Sequence, residues 1–205
     1  MVDLGRSEVA AALTCLTALT ALYLPTVFVA EPSLLSPLLP LTALTALGLG
    51  FGSEWWLRPG DLAVLRCLPR LTHLALSIDY GMPDGDGDDL EAELREEAQM
   101  HDDWRKLFPA LPCLTHCQLS LAHGMGSHLL PALGMARPCL QAVVLEARNV
   151  SLARLQLGPP SANLTELSLG GSEGGVALTP TDCWALAGLS GLRRLALECT
   201  LLPGL

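Results

Sequence analysis

The sequence of 205 residues is poor in aromatic and basic residues, and its cysteines are not densely spaced. It contains only nine aromatic residues, four Trp, two Tyr and three Phe. Its 12 basic residues are outnumbered by 21 acidic ones, and the net charge of -9 argues against nucleic acid or an anionic membrane surface as a partner. Seven cysteines without dense spacing do not describe a small disulfide scaffold. Because 50% of the residues are hydrophobic, we expect most of the chain to fold.

Motifs for catalysis and metal binding are also missing from the sequence. It has no phosphate-binding glycine loop, no HExxH and no GxSxG. Nothing in its pattern brings Ser, His and Asp together as a triad. The Cys113-x-x-x-Cys117 spacing lacks the second pair that a zinc site needs. We therefore expect a protein that is not an enzyme and that has no cofactor and no metal ion.

Leucine supplies 48 of the residues, close to a quarter, and it recurs in a regular frame. The heptapeptide Leu-Thr-Ala-Leu-Thr-Ala-Leu occurs at 16–22 and again at 41–47. The pattern L-x-x-L-x-L recurs in seven segments, with Cys117 and Val143 replacing the middle leucine in two of them: 19–24, 44–49, 71–76, 114–119, 140–145, 164–169 and 192–197. Successive copies are offset by 25, 27, 43, 26, 24 and 28 residues. An insertion of about 17 residues accounts for the one irregular interval.

This frame resembles the leucine-rich repeats, and LPRLTHLAL at 68–76 and LSGLRRLAL at 189–197 are similar to the ribonuclease-inhibitor-like repeats of plant and algal type. The resemblance covers nearly the whole chain. It implies an α/β leucine-rich-repeat solenoid of about seven repeats, with a curved parallel sheet on the concave side and helices and irregular turns on the convex side. We expect residues 1–205 to form one such domain, since a single repeat cannot bury its apolar face without neighbours.

One feature of the family pattern is missing. The family usually has Asn or Cys three residues after the last leucine of the frame, where the side chain ties neighbouring turns together. The residues at that position here are Val27, Gly52, Asp79, Ala122, Arg148, Ser172 and Thr200. No such ladder can form from them, so we expect irregular turns after the strands.

The segments that return from one strand to the next are predicted to be helical in several places. Each of these places begins with a good N-cap residue: Asp61, Ser127 and the Thr181–Asp182 pair. Cysteines fall in or near the frame as well. We interpret Cys67, Cys113, Cys117 and Cys139 as small buried hydrophobic residues in a reducing compartment.

Alternate residues of each predicted strand face the concave side, where a protein partner would bind. His73 and His116 occupy equivalent positions in successive repeats, so we expect their rings to lie about 5 Å apart. Two solvated histidines are favoured over half of a metal site or a pH-sensitive contact, because the frame offers no third ligand. Glu166 and Arg194 are neighbours that a surface ion pair explains. The predicted partner-binding residues are His73, Ser77, His116, Gln118, Ser120, Glu146, Glu166 and Arg194.

The insertion at 79–103 holds 11 of the 21 carboxylates, opposed there only by Arg95. Its run Asp-Gly-Asp-Gly-Asp at 84–88 resembles the start of a calcium loop. However, Asp89 stands where that loop needs glycine, and Arg95 where it needs glutamate. We favour a loop followed by a helix near 88–108. Its predicted core residues are Leu90, Leu94, Ala98, Trp104 and Leu107 or Phe108.

The apolar run from Val9 to Ala30 has 22 residues without a charge, long enough to cross a bilayer. It is a poor signal peptide, because Asp3 and Glu8 offset Arg6, and it lacks the basic flank of a membrane helix. Because the run is akin to the next repeat, we interpret it as the first repeat.

The sequence therefore predicts a non-catalytic protein-protein interaction module that binds an unidentified protein partner on its concave face. The resemblance implies a recognition arm or a scaffold, since similar repeats serve in ubiquitin-ligase adaptors, immune receptors and ciliary scaffolds. We expect a cytoplasmic location, with cytoskeletal or ciliary association open. One alternative is a membrane-tethered or secreted protein that uses residues 9–30 as anchor or signal. Another is a structural fragment of a larger repeat protein, since no polar capping repeat follows Leu197.

Overall fold

Parallel strands dominate the computed structural model of the protein. It describes residues 2–4, 6–28, 35–51, 60–78, 99, 102–121, 133, 139–147, 163–170, 183 and 186–198. Within these residues, eight strands form one parallel sheet whose order follows the chain. The strands are β1 (Val2–Asp3), β2 (Ala21–Phe28), β3 (Ala46–Phe51), β4 (His73–Ile78), β5 (His116–Leu121), β6 (Ala142–Ala147), β7 (Glu166–Gly170) and β8 (Arg194–Leu197).

The register of β2 to β8 reproduces the seven copies of the leucine frame. Leu22 pairs with Leu47, and the same column continues across the sheet without a shift. Its other members are Leu74, Cys117, Val143, Leu167 and Leu195. The predicted α/β leucine-rich-repeat solenoid of about seven repeats is confirmed. The strand β1, which pairs Val2 with Val27, is too short for the sequence pattern to predict.

The frame leucines form a continuous core on one side of the sheet. In the middle strands Leu74 and Leu119 are fully buried, whereas Leu195 in β8 is 46% exposed. The difference arises because, among the described strands, β8 has a neighbour on one side only. Stacking between neighbours therefore produces the burial, as expected for a repeat fold.

A ladder of threonine hydroxyls joins adjacent repeats just before the strands. Four hydroxyls donate to the backbone carbonyl of the preceding repeat: Thr45 to Thr20 (3.0 Å), Thr72 to Thr45 (2.9 Å), Thr115 to Thr72 (3.0 Å) and Thr165 to Gln141 (3.2 Å). The same carbonyls also accept backbone N–H groups from the next repeat. Whereas the family ladder follows the strands, this ladder precedes them.

Residues 9–30 do not form a single helix. The helix α1 (Ser7–Cys15) ends well before β2 begins, and its Leu13 is buried against the core. Because β2 is in register with β3, this run has the structure expected of a first repeat. The described stretches contain no helix with the length and apolar character needed to cross a bilayer.

The other described return segments are short. They include a 3-10 helix (Ser36–Leu38), the helix α2 (Leu62–Leu65) and helical residues 102–110. Trp104, Leu107 and Phe108 are buried as predicted, with the rings of Trp104 and Phe108 stacked at 5.9 Å. The predicted core residues Leu90, Leu94 and Ala98 lie outside the described residues, as does the calcium-like run at 84–88.

Asp61 lies at the predicted N-cap position of α2, but it does not cap the helix through its side chain. Its backbone is already helical (φ -60, ψ -38), and its side chain makes no cap hydrogen bond. An N-cap residue needs extended backbone for its side chain to reach the first turn. A second carboxylate near this helix start is that of Asp103, whose Oδ2 accepts the N–H of Gly60 at 2.5 Å. The other predicted caps, Ser127 and the pair at 181–182, lie outside the described residues.

The predicted burial of the cysteines holds only for Cys117, which occupies a leucine position of the core column. Burial raises the pKa of its thiol to about 12. Cys67, Cys113 and Cys139 are exposed, so for them the prediction is wrong. They lie in turns outside the strands, where the alternation that directs frame residues into the core does not operate.

Candidate partner-binding surface

The concave face is the side of the sheet opposite the leucine core, and three columns of residues cross it. The first is Ala21, Ala46, His73, His116, Ala142, Glu166 and Arg194; the second is Tyr23, Gly48, Ala75, Gln118, Val144, Ser168 and Ala196. The third runs through Gly50, Ser77, Ser120, Glu146 and Gly170. Pro25 and Glu198 flank this third column without a register partner.

All of the predicted partner-binding residues lie on this face, in two groups. The central group occupies β4 to β6 and consists of His73, Ser77, His116, Gln118, Ser120 and Glu146. The second group is Glu166 and Arg194 on β7 and β8. Ala142 separates the two groups in the first column, so the central group forms the main polar patch.

His73 and His116 form the centre of this patch. Their ring centroids are 4.3 Å apart and the rings are nearly parallel, at 9°. Each ring contacts the threonine that precedes it: Thr72 Oγ1 is 2.9 Å from His73 Nδ1, and Thr115 Oγ1 is 2.8 Å from His116 Nδ1. The threonine ladder therefore holds the two rings next to each other, as the sequence predicts, and the structure adds that they are stacked.

The stack affects how His116 titrates and what it can bind. Partial burial and the neighbouring His73 lower the pKa of His116, while Glu166 opposes the shift. In parallel rings the nitrogen lone pairs run side by side and do not converge on one ion. Among the described residues, no group of three or more His, Cys, Asp or Glu could hold a metal.

Glu166 and Arg194 form an ion pair at the other end of the face. Arg194 Nη1 lies 3.7 Å from Glu166 Oε2, with the side chains 79% and 42% exposed. Pairs this open to solvent contribute roughly 0–1 kcal/mol to stability. The predicted surface ion pair is thus present, and it contributes little to the stability of the fold.

Tyr23 is a surface residue that the predicted set omits. It lies in the second column on β2 and is 64% exposed. Its ring covers Gly48, where a Cβ would come within 2.6 Å of Tyr23 Cδ1. Aromatic side chains often anchor protein interfaces. The sequence does contain a sign of this exposed residue, because Tyr23 is the single aromatic residue in a column of mostly small ones.

Comparison with known proteins adds little to this geometry. No protein-family model matches the sequence, and no curated protein matches it significantly. Among solved structures, an internalin (inlF) from Listeria monocytogenes is similar at 17% identity with a TM-score of 0.48. The match covers 92% of this chain and 50% of that one, so this chain spans half the length of the internalin. The register of the strands and their shared core show the leucine-rich-repeat fold.

Proposed function

We propose that this chain is a non-catalytic protein-protein interaction module that binds a protein partner on its concave face, as a recognition arm or a scaffold. One observation carries the proposal: the polar residues of β4, β5 and β6 meet in register on one open face. The core leucines point to the other side, so the face can contact a partner without disturbing the fold. Neither nucleic acid nor a membrane is part of this proposal.

We further propose a cytoplasmic location and repeats of the ribonuclease-inhibitor-like plant and algal type. All six described cysteines are free thiols, and five of them are exposed, which suits a reducing compartment. Regular repeat offsets of 24 to 28 residues, together with helical returns such as α2, support the repeat type.

A concave-face variant tests the function. This variant of the full chain has alanine at His73, His116, Gln118 and Glu146. Circular dichroism checks that it keeps the fold. The tagged proteins then capture partners from an extract of the native cells, and quantitative mass spectrometry compares the captured sets. We expect the variant to lose the proteins that the unchanged chain enriches.

The matched control changes Arg70 and Arg105 to alanine, because both are exposed and lie outside the strands. It should capture the same proteins as the unchanged chain. Equal capture by the concave-face variant would place partner binding on another surface and contradict the proposal.

A further inference from the structure

Hydrogen bonding fixes which nitrogen of each central histidine carries the hydrogen. Thr72 Oγ1 lies 2.9 Å from the carbonyl oxygen of Thr45 and 2.9 Å from His73 Nδ1. Since a carbonyl oxygen can only accept, the one hydroxyl hydrogen is used there. The hydroxyl oxygen must then accept from the ring, so the neutral His73 carries its hydrogen on Nδ1.

The same argument holds one repeat further along. Thr115 Oγ1 donates to the carbonyl oxygen of Thr72 at 3.0 Å and lies 2.8 Å from His116 Nδ1. The neutral His116 therefore also carries its hydrogen on Nδ1. Because the two rings are stacked and nearly parallel, two Nε2 lone pairs lie side by side at the centre of the face.

The charged groups around this pair are mostly acceptors too. In the first column its neighbours are Ala46 on β3 and Ala142 on β6, which do not titrate. Beyond them the face carries Glu146 on β6 and Glu166 on β7. Among the described residues of the three columns, Arg194 carries the positive charge, and it is already paired with Glu166.

The two Nε2 lone pairs and the carboxylate of Glu146 are acceptors, and they suit a partner that supplies donors. Building on the proposed function, we propose that the partner docks a basic, donor-rich segment of Lys or Arg side chains on the His73–His116 pair, and that protonation of the pair releases it. A proton on Nε2 turns that acceptor into a donor and adds a positive charge. Both changes oppose a basic segment.

The titration of His116 fits this role. The pKa of His116 is lowered by partial burial first and by His73 second, so the ring is neutral at neutral pH. A second charge at this stacking distance opposes double protonation. Release is therefore expected below pH about 6.5, the ordinary pKa of histidine.

The first test reads the tautomers directly in the full chain without any partner. Imidazole nitrogen NMR at pH 7.5 should show the hydrogen on Nδ1 in both His73 and His116. In Thr115→Val the His116 ring should lose this preference, while His73 keeps it. A hydrogen on Nε2 in the unchanged protein would overturn the inference whatever the partner is.

The second test uses defined peptides as probes. A displayed library of random dodecapeptides is selected on the full chain at pH 7.5. Binders that also bind the concave-face variant, with alanine at His73, His116, Gln118 and Glu146, are discarded. We expect the surviving peptides to be rich in Lys and Arg. Their affinity should fall at least about tenfold at pH 5.5.

Histidine variants separate this inference from the proposed function. His73→Gln with His116→Gln keeps neutral acceptors and should abolish the pH dependence, whereas His116→Arg should weaken binding at both pH values. Acidic or apolar peptides bound at this face would overturn the basic partner and leave the proposed function standing. If no peptide depends on the face, both proposals fail.

Discussion

Gly50 offers the sharpest test of how the first repeats stack. A Cβ at this position would lie 2.1 Å from the carbonyl oxygen of Pro25 and 2.9 Å from its carbonyl carbon. Pro25 lies where the register of β2 shifts between Leu24 and Val27, so its backbone passes close to β3. Because the obstructing atoms are backbone, Gly50→Ala forces the strand itself to move.

The expected cost follows from two opposing effects. Overpacking that moves backbone costs typically 1–3 kcal/mol, with the upper part expected for so short a contact. Replacing a strand glycine by alanine returns roughly 0.5–1 kcal/mol of backbone entropy. Gly50→Ala should therefore lower the free energy of unfolding by about 2 kcal/mol. Left-handed strain does not contribute, since Gly60 is the glycine with positive φ among the described residues.

Two other glycines of the concave face provide matched controls. At Gly170 the nearest atom to a new Cβ is Glu198 Oε2 at 3.0 Å, and at Gly48 it is Tyr23 Cδ1 at 2.6 Å. Both neighbours are side-chain atoms that can turn away. We expect Gly170→Ala to change the unfolding free energy by less than about 0.5 kcal/mol, and Gly48→Ala to fall between the two.

Urea unfolding followed by circular dichroism measures all three variants, with the slope m checked for loss of cooperativity. If Gly50→Ala proves as stable as Gly170→Ala, β2 does not approach β3 as described, and the stacking of the first repeat is wrong.

Further predictions concern the cysteines and the histidine pair. Cys117→Ser should lower the free energy of unfolding, measured in urea, by roughly 1–3 kcal/mol, because it buries an unsatisfied hydroxyl. Cys113→Ser should change this free energy by less than about 0.5 kcal/mol. Equal effects of the two substitutions would contradict the difference in burial between the two cysteines. Native alkylation at pH 8 should modify Cys113 and spare Cys117, whose pKa is about 12. By NMR, the pKa of His116 should lie below its ordinary value, rise in His73→Gln and fall further in Glu166→Gln. Shifts of the opposite sign would contradict the assigned causes. Since the unfolded chain takes up this proton first, His116 should make stability fall as the pH drops below about 6.5.

The strand register could be predicted from the sequence because it depends on a strict local period. A spacing of two residues decides which side chain faces the core, and the leucine frame marks that spacing in every copy. Once the frame is known, residues at the same position must be neighbours. This rule alone places His73 beside His116 and Glu166 beside Arg194. The stacking of the two rings depends in addition on their contacts with Thr72 and Thr115.

Features that depend on contacts between different segments could not be predicted in this way. Asp103 approaches Gly60 from 43 residues away, so nothing local to Gly60 shows that its N–H donates to this carboxylate. The turn residue Cys113 has no periodic neighbour to fix its direction. Leu-Thr pairs such as Leu71-Thr72 recur in the sequence and supply the hydroxyls of the threonine ladder. The sequence does not show which carbonyl oxygen each hydroxyl reaches, so the ladder could not be predicted.

Photocrosslinking from the face is the most direct measurement of the central claim. The photoreactive residue p-benzoylphenylalanine replaces Gln118 on β5 in one protein and Arg105 in another, and each is irradiated in an extract of the native cells. We expect a covalent partner adduct from position 118 and none from position 105. An adduct that forms only from position 105 would contradict binding on the concave face.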